Sequence, residues 1–549
     1  MLRAITLVSL LLAVPVLVVL GSWLVFDAAS LETLAHQWQT VLPEYLLNSA
    51  LLALGVGAGV ALLGGATAVA VTLFDFRWRR HFEWALLLPL AMPGYVLAYA
   101  YTDFLQFSGP LQTALRAASG AQGALWPDVR SLPGATVVFI LCLYPYVYLL
   151  TRAALGERAV PLMEAARLLG AGAARRTREV ALPLARPALA AGVALALMET
   201  LADYGAVSYF GVSTVTTGIY RAWLVMDDRI AASQLASMLL AVVALLTWLE
   251  HRAQRRLRFA VGRRGGAHAA EARPIELRGA SGALAFGLCL LPVLLGFVLP
   301  VAVLLRLVVI EAGDAGTLDA ATWSRFVQWG WTSLRLALTA SALAVALSLA
   351  IAFANRVQPG RLLRWETRIV SLGYAVPGAV IAVGILLPLG WLQAVAPGAT
   401  VTALVTGTAF GLLYAYLVRF SAISLQSMDA GYARVATSVD ETARMLGAAR
   451  WRLFAELHAP LLKRSAAAAA LLVFVDVMKE LPATLLLRPF DSDTLAVVAY
   501  QLARDERLGE AALPSIAIVV VGLIPVVLLS AALRAGPQPA PMEVLPANT

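Results

Sequence analysis

Stretches of about 20 apolar residues recur along this chain, and they decide what it can fold into. A helix needs about 20 residues to cross a hydrocarbon core of ~30 Å, and 60% of the 549 residues are apolar while only 14% are charged. A water-soluble fold cannot bury that much apolar surface, so we predict an all-α polytopic membrane protein with about 12 transmembrane helices. The predicted spans are 4–26, 46–73, 83–104, 133–154, 187–208, 233–250, 281–309, 332–354, 367–393, 398–422, 466–487 and 514–534.

The arginine residues between the predicted spans follow a regular pattern. Cytoplasmic loops carry an excess of Lys and Arg, and if the N-terminus is inside, every loop on that side is basic. The inside arginines include Arg77, Arg79, Arg80, Arg167, Arg175, Arg176, Arg178, Arg356, Arg361, Arg364, Arg434, Arg444, Arg450 and Arg452. The first run is too long for a signal-peptide core of roughly 7–15 residues. We therefore expect an uncleaved first helix and both termini in the cytoplasm. Topology then explains the net charge of +9, and we expect no nucleic-acid partner.

The two ends of the chain are built from similar sequences. "AMPGYVLAY" around Pro93 matches "AVPGAVIAV" around Pro377, 284 positions later. Residues 251–279, rich in Arg, Gly and Ala, interrupt the apolar pattern between the sixth and seventh spans. We predict two homologous six-helix halves: a first half at 1–250, a basic cytosolic linker at 251–279 and a second half at 280–549.

One loop, predicted to be cytoplasmic, is repeated almost unchanged. "EAARLLGAGAARRTREVALP" (164–183) and "ETARMLGAARWRLFAELHAP" (441–460) are identical at nine of twenty positions without a gap. The composition predicts two short helices separated at a glycine, with a proline stopping the segment before the next span. The leucines make the loop less polar than a solvated loop. It is suited either to a docking partner with two-fold symmetry or to an amphipathic helix on lipid headgroups.

These loops resemble the "EAA…G…LP" loop of importer-type ABC permease subunits. The residues that match the family pattern are Glu164, Ala166, Gly170, Pro183, Glu441, Ala443, Gly447 and Pro460; Thr442 and Ala459 depart from it. The resemblance implies coupling helices that dock on a cytosolic ABC ATPase dimer. The only lysines, Lys463 and Lys479, lack the glycine-rich context of a phosphate-binding loop. We therefore expect a non-enzymatic transport subunit that binds no cofactor, with ATP used by the partner ATPase.

Charged residues inside predicted spans mark a candidate translocation path, because a charge within the bilayer is costly. The candidates are Glu199, Asp203, Asp476, Lys479 and Glu480. Within each span two carboxylates lie four residues apart and so share one helix face, which favours a cationic or metal cargo. Alternatively, Lys479, Arg221 or Arg488 neutralise them, or headgroup water solvates them. No metal ligand is firmly assigned.

The stretches from Met198 and from Asp476, together with the duplicated single chain, resemble fused ferric-iron importer permeases. The resemblance implies the type I ABC importer permease fold, Fe(III) as cargo, a periplasmic iron-binding protein as partner and a location in the bacterial inner membrane. Fused thiamine, polyamine or aminophosphonate permeases share the same architecture. A proton-coupled secondary transporter also often has two six-span halves, and it would need no ATPase.

Overall fold

The computed structural model describes residues 2–25, 28–156, 160–259, 274–313, 320–397, 400–433 and 435–534. These residues are almost entirely helical, and the two short strands among them, Phe74–Asp75 and Ile275–Glu276, pair in parallel. The all-α polytopic fold predicted from the apolar runs is confirmed. Many large apolar side chains, Leu54, Leu62 and Leu284 among them, are exposed on the helices, as expected of surfaces that face lipid rather than water.

The helices of the first half, in chain order, are α1 (Leu2–Gly21), α2 (Ala28–Thr40), α3 (Leu42–Leu73), α4 (Arg79–Ala85), α5 (Gly94–Leu105), α6 (Pro110–Ser119), α7 (Leu132–Ala154), α8 (Val160–Leu168), α9 (Ala173–Arg176), α10 (Leu182–Ala202), α11 (Gly205–Tyr209), α12 (Val215–Tyr220) and α13 (Arg229–Phe259).

The second half continues with α14 (Ala280–Val293), α15 (Leu299–Gly313), α16 (Ala320–Val357), α17 (Arg361–Leu372), α18 (Gly378–Val395), α19 (Thr400–Gly407), α20 (Ala409–Tyr432), α21 (Thr437–Met445), α22 (Arg450–Arg452), α23 (Ala459–Met478), α24 (Pro482–Leu487), α25 (Leu495–Arg504) and α26 (Leu508–Arg534). Turns of 3₁₀-helix cover Ser22–Val25, Leu88–Ala91 and Gly373–Ala375, and π-helical turns cover Thr177–Ala181, Arg221–Val225, Leu294–Val298 and Leu453–His458.

Within the described ranges, ten helices are long and apolar enough to cross a membrane, or eleven if one bent pair counts as a span. That pair, Arg79–Ala91 and Gly94–Ser119, bends by 91° where the third span was predicted. The eleventh predicted span corresponds to α23, a 20-residue helix that contains Lys463, Arg464 and Asp476. This helix is long enough to cross a membrane, but its three charged residues distinguish it from the ten apolar helices.

Both halves contain the same order of elements, and the same side chains join them. The Ser49 hydroxyl accepts a hydrogen bond from the Val215 backbone N–H at 3.1 Å, and Ser333 accepts from Leu495 N–H at 2.8 Å. In each case a serine near the start of a long helix fixes the first residue of a later helix. The division at 250 and 280 stays a prediction, since residues 260–273 of the linker lie outside the described residues.

The first helix of each half packs against the other half. Helix α1 lies on α17 and α18, where Gly384 leaves room for the backbone of Pro15. Conversely, the Tyr101 hydroxyl of α5 donates to the Leu295 carbonyl at 2.7 Å. The strand near the end of the predicted linker is tied to the first half as well, because Leu277 N–H, directly after it, donates to the Asp75 carbonyl at 2.9 Å. The halves are therefore interlocked rather than placed side by side.

Candidate transport cavity and coupling surface

A cavity of about 120 Å³ lies between the halves, large enough for several water molecules or a hydrated ion. Its walls come from α5, α7 and α10 of the first half and from α20, α23 and the segment before α24 of the second. All five charged residues predicted for the translocation path line it: Glu199, Asp203, Asp476, Lys479 and Glu480. The cavity therefore collects side chains that are far apart in sequence.

The first carboxylate pair lies where α10 ends. Asp203 follows the last residue of this helix in extended backbone conformation, and its Oδ1 accepts a hydrogen bond from Ala206 N–H at 2.8 Å. Glu199, one turn earlier, accepts a hydrogen bond from the Tyr374 hydroxyl of the second half at 2.9 Å. Among the described residues, neither carboxylate has a cationic side chain within the 4.0 Å of an ion pair. Two carboxyl groups thus face the cavity without an ion-pair partner among the described residues.

Glu480 has the position in the second half that aligns with Asp203, but each of its two carboxylate oxygens already accepts two hydrogen bonds. Its Oε1 accepts from Arg419 at 3.1 Å and from Ala483 N–H at 2.9 Å. Its Oε2 accepts from the backbone N–H of Thr484 at 3.0 Å and from the Thr484 hydroxyl at 2.5 Å. The side chain is only 2% exposed. Glu480 therefore caps α24 and neutralises a buried arginine, which is a structural role.

The remaining acid of the second half is paired as well. Asp476 Oδ1 lies 2.8 Å from Lys479 Nζ, so Lys479 does neutralise a carboxylate, as the alternative proposed. The other two cations proposed for that role are engaged elsewhere. Arg221 donates to the Tyr45 hydroxyl at 3.3 Å, and Arg488 is paired with Asp493.

Arg419 is the principal residue of the cavity that the sequence reasoning missed. It lies inside the apolar helix α20, and a charge within a predicted span is itself the signal that could have identified it. The position 277 residues earlier, which aligns with it in the repeat, holds Cys142. The arginine therefore forms its ion pair within the second half, and the first half has no equivalent cation at the aligned position.

The repeated loops end their first helices in the same way. Gly170 and Gly447 have φ of +82° and +79°, the left-handed conformation that glycine adopts without a steric penalty. Beyond them, Ala171 N–H donates to the Ala166 carbonyl and Ala448 N–H to the Ala443 carbonyl, both at 3.0 Å. This is the Schellman pattern of a helix C-terminus, so the sequence prediction that the glycine ends the helix is confirmed.

Two large apolar side chains, which we call the apolar tip, project from the end of each of these helices. Leu168 and Leu169 are both 88% exposed, and the aligned Met445 and Leu446 are 89% and 82% exposed. The glutamates that open the motif lie on the same helices: Glu164 is within 3.9 Å of Arg167, and Glu441 is exposed. Pairs of fully exposed large apolar side chains mark a surface that binds a partner or a membrane.

The predicted role of the prolines is wrong. Pro183 and Pro460 do not stop the loop segment; each lies in the first turn of a long helix that continues from a π-helical turn. In that turn Leu182 N–H bonds to the carbonyl of Thr177, five residues back, and Ala459 N–H bonds to that of Phe454. The wider π turn accommodates a proline that has no N–H and would clash with the carbonyl four residues back.

The polytopic helical fold and the two repeated loops agree with the resemblance to permease subunits of ABC importers. Residues 60–259 match the family model of binding-protein-dependent transport system inner membrane components, which covers a little over a third of the chain. This match, together with the apolar helices, supports a multi-pass inner membrane protein.

Curated relatives match the chain to different extents. The Fe(3+)-transport system permease protein FbpB 2 of Haemophilus influenzae is 25% identical over 88% of this chain and 89% of its own length. The putative 2-aminoethylphosphonate permease proteins PhnU of Salmonella choleraesuis and PhnV of Salmonella typhimurium are 27% and 26% identical. They match 35% and 38% of this chain, and 68% and 73% of their own lengths. The iron permease is thus similar over both halves, whereas each phosphonate permease aligns over little more than a third of the chain.

Proposed function

We propose that this chain forms the membrane path of an ABC importer for Fe(III). A periplasmic binding protein delivers the cargo, and a separate cytosolic ATPase dimer, which uses the ATP, docks on the two EAA loops. Both termini and both loops lie on the cytoplasmic side, in agreement with the basic loops there. The alignment with an Fe(3+) permease over 88% of the chain is the observation that carries the proposal.

The charge of the cavity supports a cationic cargo. Four carboxylates and two cations line it, and the carboxylates in excess, Glu199 and Asp203, belong to α10. Fe(III) is a hard cation that prefers oxygen ligands. The described residues contain no group of three or more His, Cys, Asp or Glu side chains placed to hold a metal ion. We therefore propose that these two carboxylates attract the ion electrostatically during passage, without forming a resident metal site.

The apolar tips support the docking role. There are two of them, at aligned positions of the repeat, and a dimeric ATPase presents two equivalent surfaces. The alternative of a helix lying on lipid predicts loops that bind the membrane whether or not the ATPase is present. Protection of Leu168 and Met445 from labelling, after substitution by cysteine, is expected only when the ATPase is added; protection by lipid alone would contradict docking.

Transport assays in proteoliposomes test the function. The permease, reconstituted with its ATPase and binding protein, is expected to accumulate iron when Fe(III) and ATP are supplied. Accumulation of 2-aminoethylphosphonate instead would support the phosphonate alternative, which the PhnU and PhnV relatives favour. Uptake driven by a proton gradient without ATP would contradict the ABC mechanism.

Neutralising the α10 carboxylates is expected to impair uptake while leaving assembly intact. In the double variant Glu199→Gln, Asp203→Asn the amide oxygens still accept the bonds from Tyr374 and Ala206, but the excess charge is lost. We expect iron uptake to fall by about tenfold or more, the effect of about 1.4 kcal/mol. The control is Glu44→Gln, an exposed carboxylate in the first turn of α3. Equal uptake by the double variant and the control would refute the role of this pair.

A further inference from the structure

Beneath the second EAA loop lies a buried polar network that takes no part in the cavity or in the exposed tip. Asp440 immediately precedes Glu441 on α21. Its Oδ2 lies 2.6 Å from Arg356 Nε and its Oδ1 lies 3.1 Å from His458 Nε2. The other ring nitrogen of His458, Nδ1, lies 2.9 Å from the Tyr432 hydroxyl. We refer to these four residues, Arg356, Tyr432, Asp440 and His458, as the Asp440 network.

The network joins the second loop to three membrane helices. Arg356 is in the last turn of α16, Tyr432 is the last residue of α20, and His458 directly precedes α23. Arg356 also donates to the Val435 carbonyl at 2.9 Å, in the segment that leads into α21. Asp440 and His458 are 5% and 1% exposed. Movement of α21 relative to these helix ends therefore breaks several charge-assisted bonds at once.

The environment of His458 favours the neutral form of its imidazole. Burial lowers the pKa of His458, against the opposing effect of the Asp440 carboxylate, and the nearby Arg356 and Arg444 lower it further. A carboxylate only accepts hydrogen bonds, so Nε2–H donates to Asp440. Nδ1 is then the acceptor for the Tyr432 hydroxyl. Each member of the chain from tyrosine to arginine is thereby satisfied, and the network has one defined arrangement.

Among the described residues, the aligned positions of the first half form no such network. The positions 277 residues before Tyr432, Asp440 and His458 hold Leu155, Met163 and Ala181, and all three are buried in the apolar core. The position that aligns with Arg356, 284 residues earlier, holds Thr72. At these aligned positions the first loop makes apolar contacts, which have no preferred direction, whereas the second makes directional hydrogen bonds, including the ion pair between Arg356 and Asp440.

We propose that the Asp440 network positions the second EAA loop rigidly on α16, α20 and α23, so that this loop transmits ATPase movement to the membrane helices more tightly than the first. The inference rests on the proposed docking of the ATPase at these loops. The four side chains touch neither cargo nor nucleotide, so they are positioning residues. Substituting them is therefore expected to change the amount of ATP hydrolysed per ion imported. ATP binding and the affinity for the binding protein are expected to stay the same.

The first half supplies a matched variant. Arg356→Thr, Tyr432→Leu, Asp440→Met and His458→Ala together place the side chains of the first loop under the second. The three apolar residues of this set are already buried together in the first half, so the quadruple variant is expected to fold. In proteoliposomes we expect the ATP hydrolysed per iron imported to rise by about fivefold, with the binding protein half-saturating the complex at an unchanged concentration.

Two further results separate the possible outcomes. Asp440→Asn keeps the shape of the side chain and weakens both of its bonds, so a smaller rise in the same ratio is expected even if the quadruple variant does not fold. Met163→Leu, the control in the first loop, keeps an apolar side chain of similar volume at the position aligned with Asp440 and is expected to leave the ratio unchanged. Wild-type ratios in both network variants would overturn the proposal. A wild-type complex that fails to bind an ATPase would instead contradict the proposed function.

Discussion

Replacing Glu480 with alanine is expected to lower the free energy of unfolding by about 3–5 kcal/mol, because it leaves the buried guanidinium of Arg419 without its partner charge. The carboxylate accepts hydrogen bonds from that arginine, from two backbone N–H groups and from the Thr484 hydroxyl. Alanine removes all four interactions, including the cap of α24. Denaturant unfolding of the purified protein in detergent, followed by tryptophan fluorescence, measures the change.

The repeat provides the control for this prediction. Asp203 aligns with Glu480 and caps α11 in the same way, but Cys142 occupies the place of the arginine. Asp203→Ala is therefore expected to cost only about 0.5–2 kcal/mol, the effect of a lost cap. Equal losses of stability in the two variants would show that the arginine pairing is not the origin of the larger effect. Glu480→Gln, which keeps an acceptor oxygen, is expected to fall between them.

Replacing both Gly170 and Gly447 with valine is expected to uncouple ATP hydrolysis from uptake. Both glycines have left-handed backbones, a conformation that costs other residues roughly 1–2 kcal/mol each and that is worse for a β-branched side chain. The loops are expected to relieve this strain by rearranging, which displaces the apolar tips. Uptake per ATP hydrolysed is then expected to fall by about tenfold or more, as measured in proteoliposomes.

Gly172 is the control for the coupling prediction. It lies in the first loop two residues after Gly170, its φ is outside the left-handed region, and a Cβ built on it would have no neighbour within 4 Å. Gly172→Val is therefore expected to retain coupled uptake. If the double variant also retained it, the loops would not act through the geometry of their helix ends.

The parts of the site that the sequence predicts are those that depend on short spacings. Two carboxylates four residues apart share a helix face whatever surrounds the helix, so Glu199 and Asp203 could be placed together. A glycine after a helical stretch predicts a left-handed helix end, and Gly170 and Gly447 adopt it. Most span positions follow from the lengths of the apolar runs in the same way, because crossing a bilayer is a requirement on each segment alone. The described residues contain ten such helices, or eleven with the bent pair, rather than the predicted twelve.

The parts that the sequence does not predict depend on packing between distant segments. The pairing of Arg419 with Glu480 joins residues 61 apart, and the bond from Tyr374 to Glu199 joins residues 175 apart. No short-range sequence pattern indicates either contact. The prediction that the two prolines end the loop segments is wrong for another reason. A proline indicates a helix boundary only when no irregular turn precedes it. At Pro183 the π-helical turn makes the long helix continuous, and propensity alone does not indicate such a turn.

The interlocked halves have a consequence for how the protein is made. Helix α1 ends at Gly21, yet the helices it packs against, α17 and α18, begin only at Arg361 and Gly378. During synthesis the first helix therefore lacks the protein surface that covers this face until most of the chain has been translated. The order of synthesis makes the final packing of α1 a late event. A chain stopped after the first half would insert all its spans and still lack the protein surface that α1 is shaped to meet.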